Sequence, residues 1–166
     1  TKAGVFDLLG CVNDVIERLQ PVIEDKQSSV TLVTDDWPKA LLAGDRFYWD
    51  QIFFNLIENA LKQNLCPNLK VIIKISETHS RHYQISITDD GVGIPQADLP
   101  FIFHRFYRVE KHHSQEIKGT GLGLSIVKRA IESHGGKVTA SSTPGEQTTF
   151  TISVPKGNVG GDDVTD

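Results

Sequence analysis

The sequence predicts an α/β fold, a two-layer sandwich in which one mixed, largely antiparallel sheet is covered on one face by about three helices. Three observations carry this. Three segments place apolar residues at helical spacing. Four segments alternate apolar and polar residues and fall into two hairpins, with few strand–helix–strand units. A chain of 166 residues with 39% hydrophobic and 23% charged residues supports one domain with its own core.

The first helix is expected over residues 5–27, where Val5, Leu8, Leu9, Val12, Val15, Ile16, Leu19 and Ile23 make one apolar face. Pro21 should kink or interrupt it, because proline cannot donate the helical hydrogen bond. Val30–Val33 is a short strand candidate, and Asp35-Asp36-Trp37-Pro38 turns the chain. Asp45 is placed to cap a second helix, 46–64, with Phe53, Leu56, Ile57, Ala60 and Leu61 on its apolar face. Val71, Ile73 and Ile75 share one side of a strand, and Tyr83, Ile85 and Ile87 share one side of the next. Residues 91–120 show little periodicity beyond a turn near Asp98–Phe103. A third helix runs from about Leu122 to His134 and stops at Gly135-Gly136. Residues 138–141 and 148–154 form the closing hairpin. The domain is expected over residues 1–155, with residues 156–166, rich in Gly and Asp, as a disordered tail.

Composition excludes several functions. A net charge of −4 argues against nonspecific nucleic-acid binding, which rests on clustered Lys and Arg. No apolar run approaches the roughly 18 residues that cross a bilayer. Methionine is absent even at position 1, so the N-terminus is expected to be a cut point. Cys11 and Cys66 lack metal-ligand spacing and read as reduced, packed thiols.

Four motifs carry the chemistry. In Asn55-Leu56-Ile57-Glu58-Asn59-Ala60-Leu61-Lys62, the spacing places Asn55, Asn59 and Lys62 on one helical face, opposite the apolar stripe. Two amides and an ammonium suit Mg²⁺ and phosphate oxygens, since Mg²⁺ keeps water and substrate phosphates as most of its ligands. In Asp89-Asp90-Gly91-Val92-Gly93, Asp89 continues the alternation of Tyr83, Ile85 and Ile87, so its carboxylate should point to the buried side and needs a donor. An adenine amino group would serve, through a charge-assisted bond worth about 1.5–3 kcal/mol. Gly91 and Gly93 would let backbone approach a flat base. Phe103-His104-Arg105-Phe106-Tyr107-Arg108 and the following Lys111, His112, His113 and Lys118 make a basic, aromatic segment suited to a lid. Gly119-Thr120-Gly121-Leu122-Gly123-Leu124 leads into a helix whose first N–H groups can bind an anion. It has neither the mononucleotide Gly-Lys-Ser/Thr ending nor the dinucleotide glycine spacing. Taken singly, each motif also fits a plainer role: a solvated helix face, a strand-ending turn, a solvated loop, a tight helix entry. Their order within one stretch of chain makes a nucleotide site.

These four segments resemble the asparagine, first glycine, phenylalanine and second glycine boxes of the catalytic ATP-binding domain of sensor histidine kinases, whose fold is the Bergerat fold. Gly135-Gly136-Lys137 and Thr148-Thr149-Phe150-Thr151, followed by Pro155, resemble that family's closing hairpin. The resemblance covers roughly residues 5–155. It implies that Asp89 reads the adenine amino group, with Gly91 and Gly93 against the base. Asn59 and Asn55 face Mg²⁺ and the phosphates, with the direct ligand left open between them, and Lys62 contacts phosphate. Tyr107, Arg108 and Lys118 belong to the lid, and Gly119, Thr120, Gly121, Leu122, Gly123 and Leu124 place backbone N–H groups near the phosphates. Thr149 helps fix the base through water. The implied cofactors are ATP and Mg²⁺.

The same resemblance separates relatives within the fold. Gyrase-like ATPases typically carry a water-activating Glu where Asn55 stands, and an amide cannot take that proton. The chain should therefore hydrolyse ATP poorly and hand on the γ-phosphoryl instead. Departures from the family pattern are Gln63 for an aromatic, Gln147 for a Gly, and Asp90 for an Asn; Asp90 adds negative charge near the site. None of His79, His82, His104, His112, His113 and His134 is followed by an acidic residue, so all six read as surface or lid histidines. The phosphate-accepting His is then expected on a separate dimerisation domain, with a response regulator downstream; this domain is expected to be cytoplasmic, with membrane anchoring of the parent protein left open. The alternatives are a gyrase-like ATPase module and an anti-sigma-factor-type serine kinase.

Overall fold

A computed structural model describes residues 4–63, 67–78, 80–107 and 123–160. Its elements are β1 (Gly4–Asp7), α1 (Leu8–Arg18), α2 (Gln20–Asp25), β2 (Ser29–Thr34), β3 (Leu41–Gly44), α3 (Arg46–Gln63), β4 (Lys70–Glu77), β5 (His82–Asp89), α4 (Gly123–Ser133), β6 (Lys137–Thr143) and β7 (Gln147–Pro155), with a 3₁₀ turn at Leu99–Phe101. Five strands form one mixed sheet in the order β2-β4-β5-β7-β6. Only β2–β4 is parallel; the other three pairings are antiparallel. The predicted sandwich is thus present.

The strand pattern explains the core. Ile75 lies opposite Ile85, Ile85 opposite Ile152, and Ile152 opposite Val138, so one apolar row crosses four strands. All four are buried against the helices. The period-2 pleat sends the intervening residues, such as Ile72, Thr88 and Thr149, to the other face, which the helices leave open. On α3, Phe53, Leu56, Ile57, Ala60 and Leu61 are buried as their spacing predicts, joined by Trp49 and Ile52.

The first helix begins later than expected. Val5 to Asp7 belong to β1, which pairs with an unforeseen strand, β3, from Gly4↔Gly44 to Asp7↔Leu41. Asp7 makes the change. Its carboxylate accepts the N–H groups of Leu9 and Gly10 at 3.1 and 3.2 Å, capping α1, and also that of Ala40 at 2.9 Å. Val5 matches both helical and strand spacing, and only this cap decides between them. Pro21 then splits the run into α1 and α2, occupying the first turn of α2 where its missing N–H costs nothing.

The helices are tied to one another at their ends. Asp45 caps α3, accepting the Phe47 N–H at 2.9 Å. The Asp45 N–H donates to His134 Nε2 at 3.2 Å, and the other ring nitrogen, Nδ1, lies 2.9 Å from the Ala130 carbonyl. A neutral ring with its proton on Nδ1 satisfies both contacts. His134 therefore joins the end of α4 to the start of α3, rather than standing on the surface as the sequence suggests. At the end of α4, Gly136 N–H reaches Ile131 O and Gly135 N–H reaches Glu132 O, with Gly135 at φ +78°. This is the glycine-terminated helix stop that Gly135-Gly136 predicts. Between α1 and α3, Arg18 grips Asp50 with two bonds of 2.7 and 2.9 Å, and Arg46 meets Asp14 at 2.5 Å. Both pairs face solvent and set register more than they add stability.

Cys11 is fully buried on α1, and burial pushes its thiol up to about 12. Cys66 lies outside the described residues. The chain beyond Pro155 also departs from expectation. The Ala43 N–H donates to Lys156 O at 2.9 Å, Lys156 N–H donates to Arg81 O at 3.0 Å, and the Lys156 ammonium pairs with Glu77. Residues just past β7 thus stitch the small sheet to the large one. Among the described residues, no helix is long and apolar enough to cross a membrane.

Candidate functional site

β5 ends at Asp89, which is 6% exposed on the helix-covered face, as its alternation with Tyr83, Ile85 and Ile87 requires. The Gly91 N–H donates to Asp89 Oδ1 at 2.9 Å, holding the carboxylate in place. Directly opposite, on β7, stands Thr148, also buried. Its hydroxyl lies 3.1 Å from that of Ser142 on β6. Carboxylate and hydroxyl share one corner at the sheet's end.

Thr149, the residue singled out in sequence, is on the other face. Its hydroxyl lies 3.0 Å from that of Thr88. One step along a strand turns a side chain through the sheet, so Thr148 is the threonine beside Asp89. The signal was available: Thr148 has the parity of Phe150, Ile152 and Val154, the buried side of β7.

The loop after β5 is bolted to the β6–β7 hairpin. Gly145 N–H donates to Val92 O at 2.6 Å, Ile94 N–H to Ser142 Oγ at 2.7 Å, and Gln96 Nε2 to Ser142 O at 2.7 Å. Gly93 sits at φ +79°, and a Cβ there would lie 2.7 Å from Thr143 O and 2.8 Å from Pro144 Cα. The hairpin backbone therefore already demands a glycine at 93, whatever a base would ask. Asp90 points elsewhere: its Oδ1 accepts the Lys70 N–H at 2.7 Å, extending the β4–β5 ladder. That bond engages the charge expected to burden the site.

α3 presents the polar face predicted for it. Asn55 and Asn59 are half-buried and Lys62 is exposed. Glu58, on the same face, holds the Lys62 ammonium at 3.3 Å, a partner the sequence reading passed over. Asn55 lines a groove of about 360 Å³ between Gln51 and Ile52 of α3 and Ile126, Val127 and Ala130 of α4. α4 opens at Gly123, and Leu124 packs against the core. Tyr107 donates its hydroxyl to Asp98 and lies 5.9 Å from the Phe101 ring, which fixes the start of the basic segment. Arg108, Lys118, Gly119, Thr120, Gly121 and Leu122 lie outside the described residues.

The donor set fits an adenine nucleotide. The Asp89–Thr148 corner offers acceptors to an amino group, and the amides and ammonium of α3 suit phosphate oxygens and a hydrated cation. Among the described residues, no group of three His, Cys, Asp or Glu could hold a metal by itself. A divalent ion here would depend on amide oxygen, water and substrate phosphate, as Mg²⁺ commonly does.

Residues 44–158 match the family described as histidine kinase-, DNA gyrase B-, and HSP90-like ATPase. The chain belongs to that family of ATP-binding domains. Its relatives narrow the class to the catalytic domains of sensor histidine kinases. It is 41% identical over 108 residues to the sensor histidine kinase WalK of Bacillus subtilis, a match covering 63% of this chain and 17% of that one. It is 37% identical over 152 residues to the sensor histidine kinase GacS of Pseudomonas protegens, covering 90% of this chain and 16% of that one. The chain thus spans under a fifth of either relative. The solved catalytic domain of the histidine kinase ThkA superposes with a TM-score of 0.80 at 25% identity, over 94% of this chain and 99% of that one.

Proposed function

We propose that this domain binds Mg²⁺-ATP and donates the γ-phosphoryl to a histidine on a separate dimerisation domain, from which it passes to a response regulator. The observation that carries this reading is Asn55, half-buried on α3 where it lines the α3–α4 groove. An amide orients a phosphate but cannot take a proton from water, so the site favours transfer over hydrolysis. Glu58, the carboxylate nearest in sequence, is paired with Lys62.

Each residue has a task in this scheme. Asp89 accepts from the adenine 6-amino group, and Thr148 holds the same edge. Asn59 and Asn55 offer amide oxygens on the phosphate side, where Mg²⁺ supplies charge neutralisation on the phosphate oxygens. Lys62 exchanges its partner Glu58 for phosphate, and α4 directs its N-terminal N–H groups toward the same charge. By the resemblance, Arg108 and Lys118, with Gly119, Thr120, Gly121 and Leu122, would supply the remaining phosphate contacts. None of the six histidines precedes an acid, so the acceptor is supplied by another domain.

Calorimetry with ATP and Mg²⁺ tests the site. Asp89→Asn removes the charge from the base contact, and affinity should fall on the order of ten- to a hundredfold, the worth of one charge-assisted bond. Unchanged affinity would refute the assignment. Rapid steady-state hydrolysis by the wild-type domain would favour a gyrase-like ATPase instead.

A further inference from the structure

Ser142 lies outside every motif in the sequence, yet it is the hub of the base-facing corner. Its hydroxyl has one proton and two lone pairs. Three groups compete for them: the Ile94 N–H at 2.7 Å, the Gln147 carbonyl at 2.8 Å and the Thr148 hydroxyl at 3.1 Å. The Gln147 carbonyl can only accept, so it takes the Ser142 proton. The Ile94 N–H can only donate, so it fills one lone pair. The remaining lone pair can only receive the Thr148 proton.

From this the geometry points to Ser142 as a positioning residue for base selectivity: it takes the Thr148 proton and leaves Thr148 Oγ1 as an acceptor beside Asp89. Thr148 stands opposite Asp89 on the same buried face. The corner then presents acceptors side by side, a carboxylate and a hydroxyl lone pair. A purine carrying a 6-amino donor satisfies them. One carrying a 6-oxo group meets acceptor with acceptor, and an unmet buried polar group is what makes such a site selective. Without Ser142 the Thr148 hydroxyl would be free to turn and donate, and Asp89 alone would be left to discriminate between the bases. The inference rests on the nucleotide-site reading above and deepens it.

The test compares ATP with inosine triphosphate, which replaces the 6-amino group with oxygen, by calorimetry on the same domain. Ser142→Ala should lower the ratio of ATP to inosine triphosphate affinity about tenfold, one hydrogen bond's worth, whatever happens to either affinity alone. Ser142→Thr keeps the hydroxyl and should keep the ratio. In a Thr148→Val background, Ser142→Ala should leave the ratio where Thr148→Val put it. A purely structural role for Ser142, loosening the Ile94 loop, would weaken both nucleotides equally with the ratio fixed, and that result overturns the proposal. If Ser142→Ala does not fold, Thr148→Val carries the test: loss of the acceptor should lower the ratio by a similar factor, and an unchanged ratio is equally fatal. Wild-type protein that binds neither nucleotide overturns the site itself; wild-type protein that prefers ATP with a ratio insensitive to Ser142 overturns only this step.

Discussion

Replacing Gly93 by alanine separates two reasons for a glycine in the loop after β5. The sequence suggests that glycine admits a base. The structure adds a reason that holds with no nucleotide present. The residue is at φ +79°, and its absent side chain leaves room for Thr143 O at 2.7 Å and Pro144 Cα at 2.8 Å, both backbone atoms of the hairpin. A left-handed conformation costs a non-glycine residue about 1–2 kcal/mol. Forcing a methyl group against packed backbone adds about 1–3 kcal/mol. Gly93→Ala should therefore destabilise the nucleotide-free domain by about 2–5 kcal/mol. For a chain of this size that lowers the melting midpoint by roughly 5–15 °C. Thermal and urea unfolding, followed by circular dichroism without nucleotide, would measure it. A stability loss below about 1 kcal/mol, with ATP affinity nevertheless reduced, would show that the hairpin contact is not what requires glycine, and the packing account would fail.

Three further outcomes follow from the fold. Thr149→Val should leave ATP affinity within about twofold of wild type, since a surface change away from the site moves little free energy, and a large loss in calorimetry would mean that the strand parity is misassigned. Cys11 should resist alkylation at pH 8 until the protein unfolds, because its thiol is buried and its pKa is raised from 9.0 to about 12. A raised folded-state pKa contributes stability below pH 9 that is lost as pH rises toward 12. Wild type should therefore lose up to about 3 kcal/mol more than Cys11→Ala between pH 8 and 11 in urea titrations, and parallel curves would contradict the burial account.

How much of this was legible in the sequence differs by element. The apolar face of α3, the alternation on β4 and β5 and the stop at Gly135-Gly136 were all readable, because each depends on residues close in the chain. Asp89 was readable for the same reason: its parity with Ile87 fixes its face. β1 and β3 were not readable. They are four residues each and exist because they pair with one another across more than thirty residues. Val5 is compatible with either structure, and the Asp7 carboxylate, bridging the start of α1 and Ala40, tips the balance. His134 shows a similar limit. Nothing local marks it as more than a surface side chain, and its role comes from an α3 terminus 89 residues away.

By itself, then, the sequence determined the class of fold and the order of the nucleotide motifs, since hydrophobic period and short-range spacing are properties of the chain. Register was the property of the folded sheet. It put Thr148 rather than Thr149 opposite Asp89, turned Asp90 toward Lys70, and gathered Ile94, Gln147 and Thr148 around Ser142. A hydroxyl's role as donor or acceptor depends on every neighbour at once, and those neighbours come from two segments, the loop after β5 and β7, that only the closed sheet brings within hydrogen-bond reach of β6.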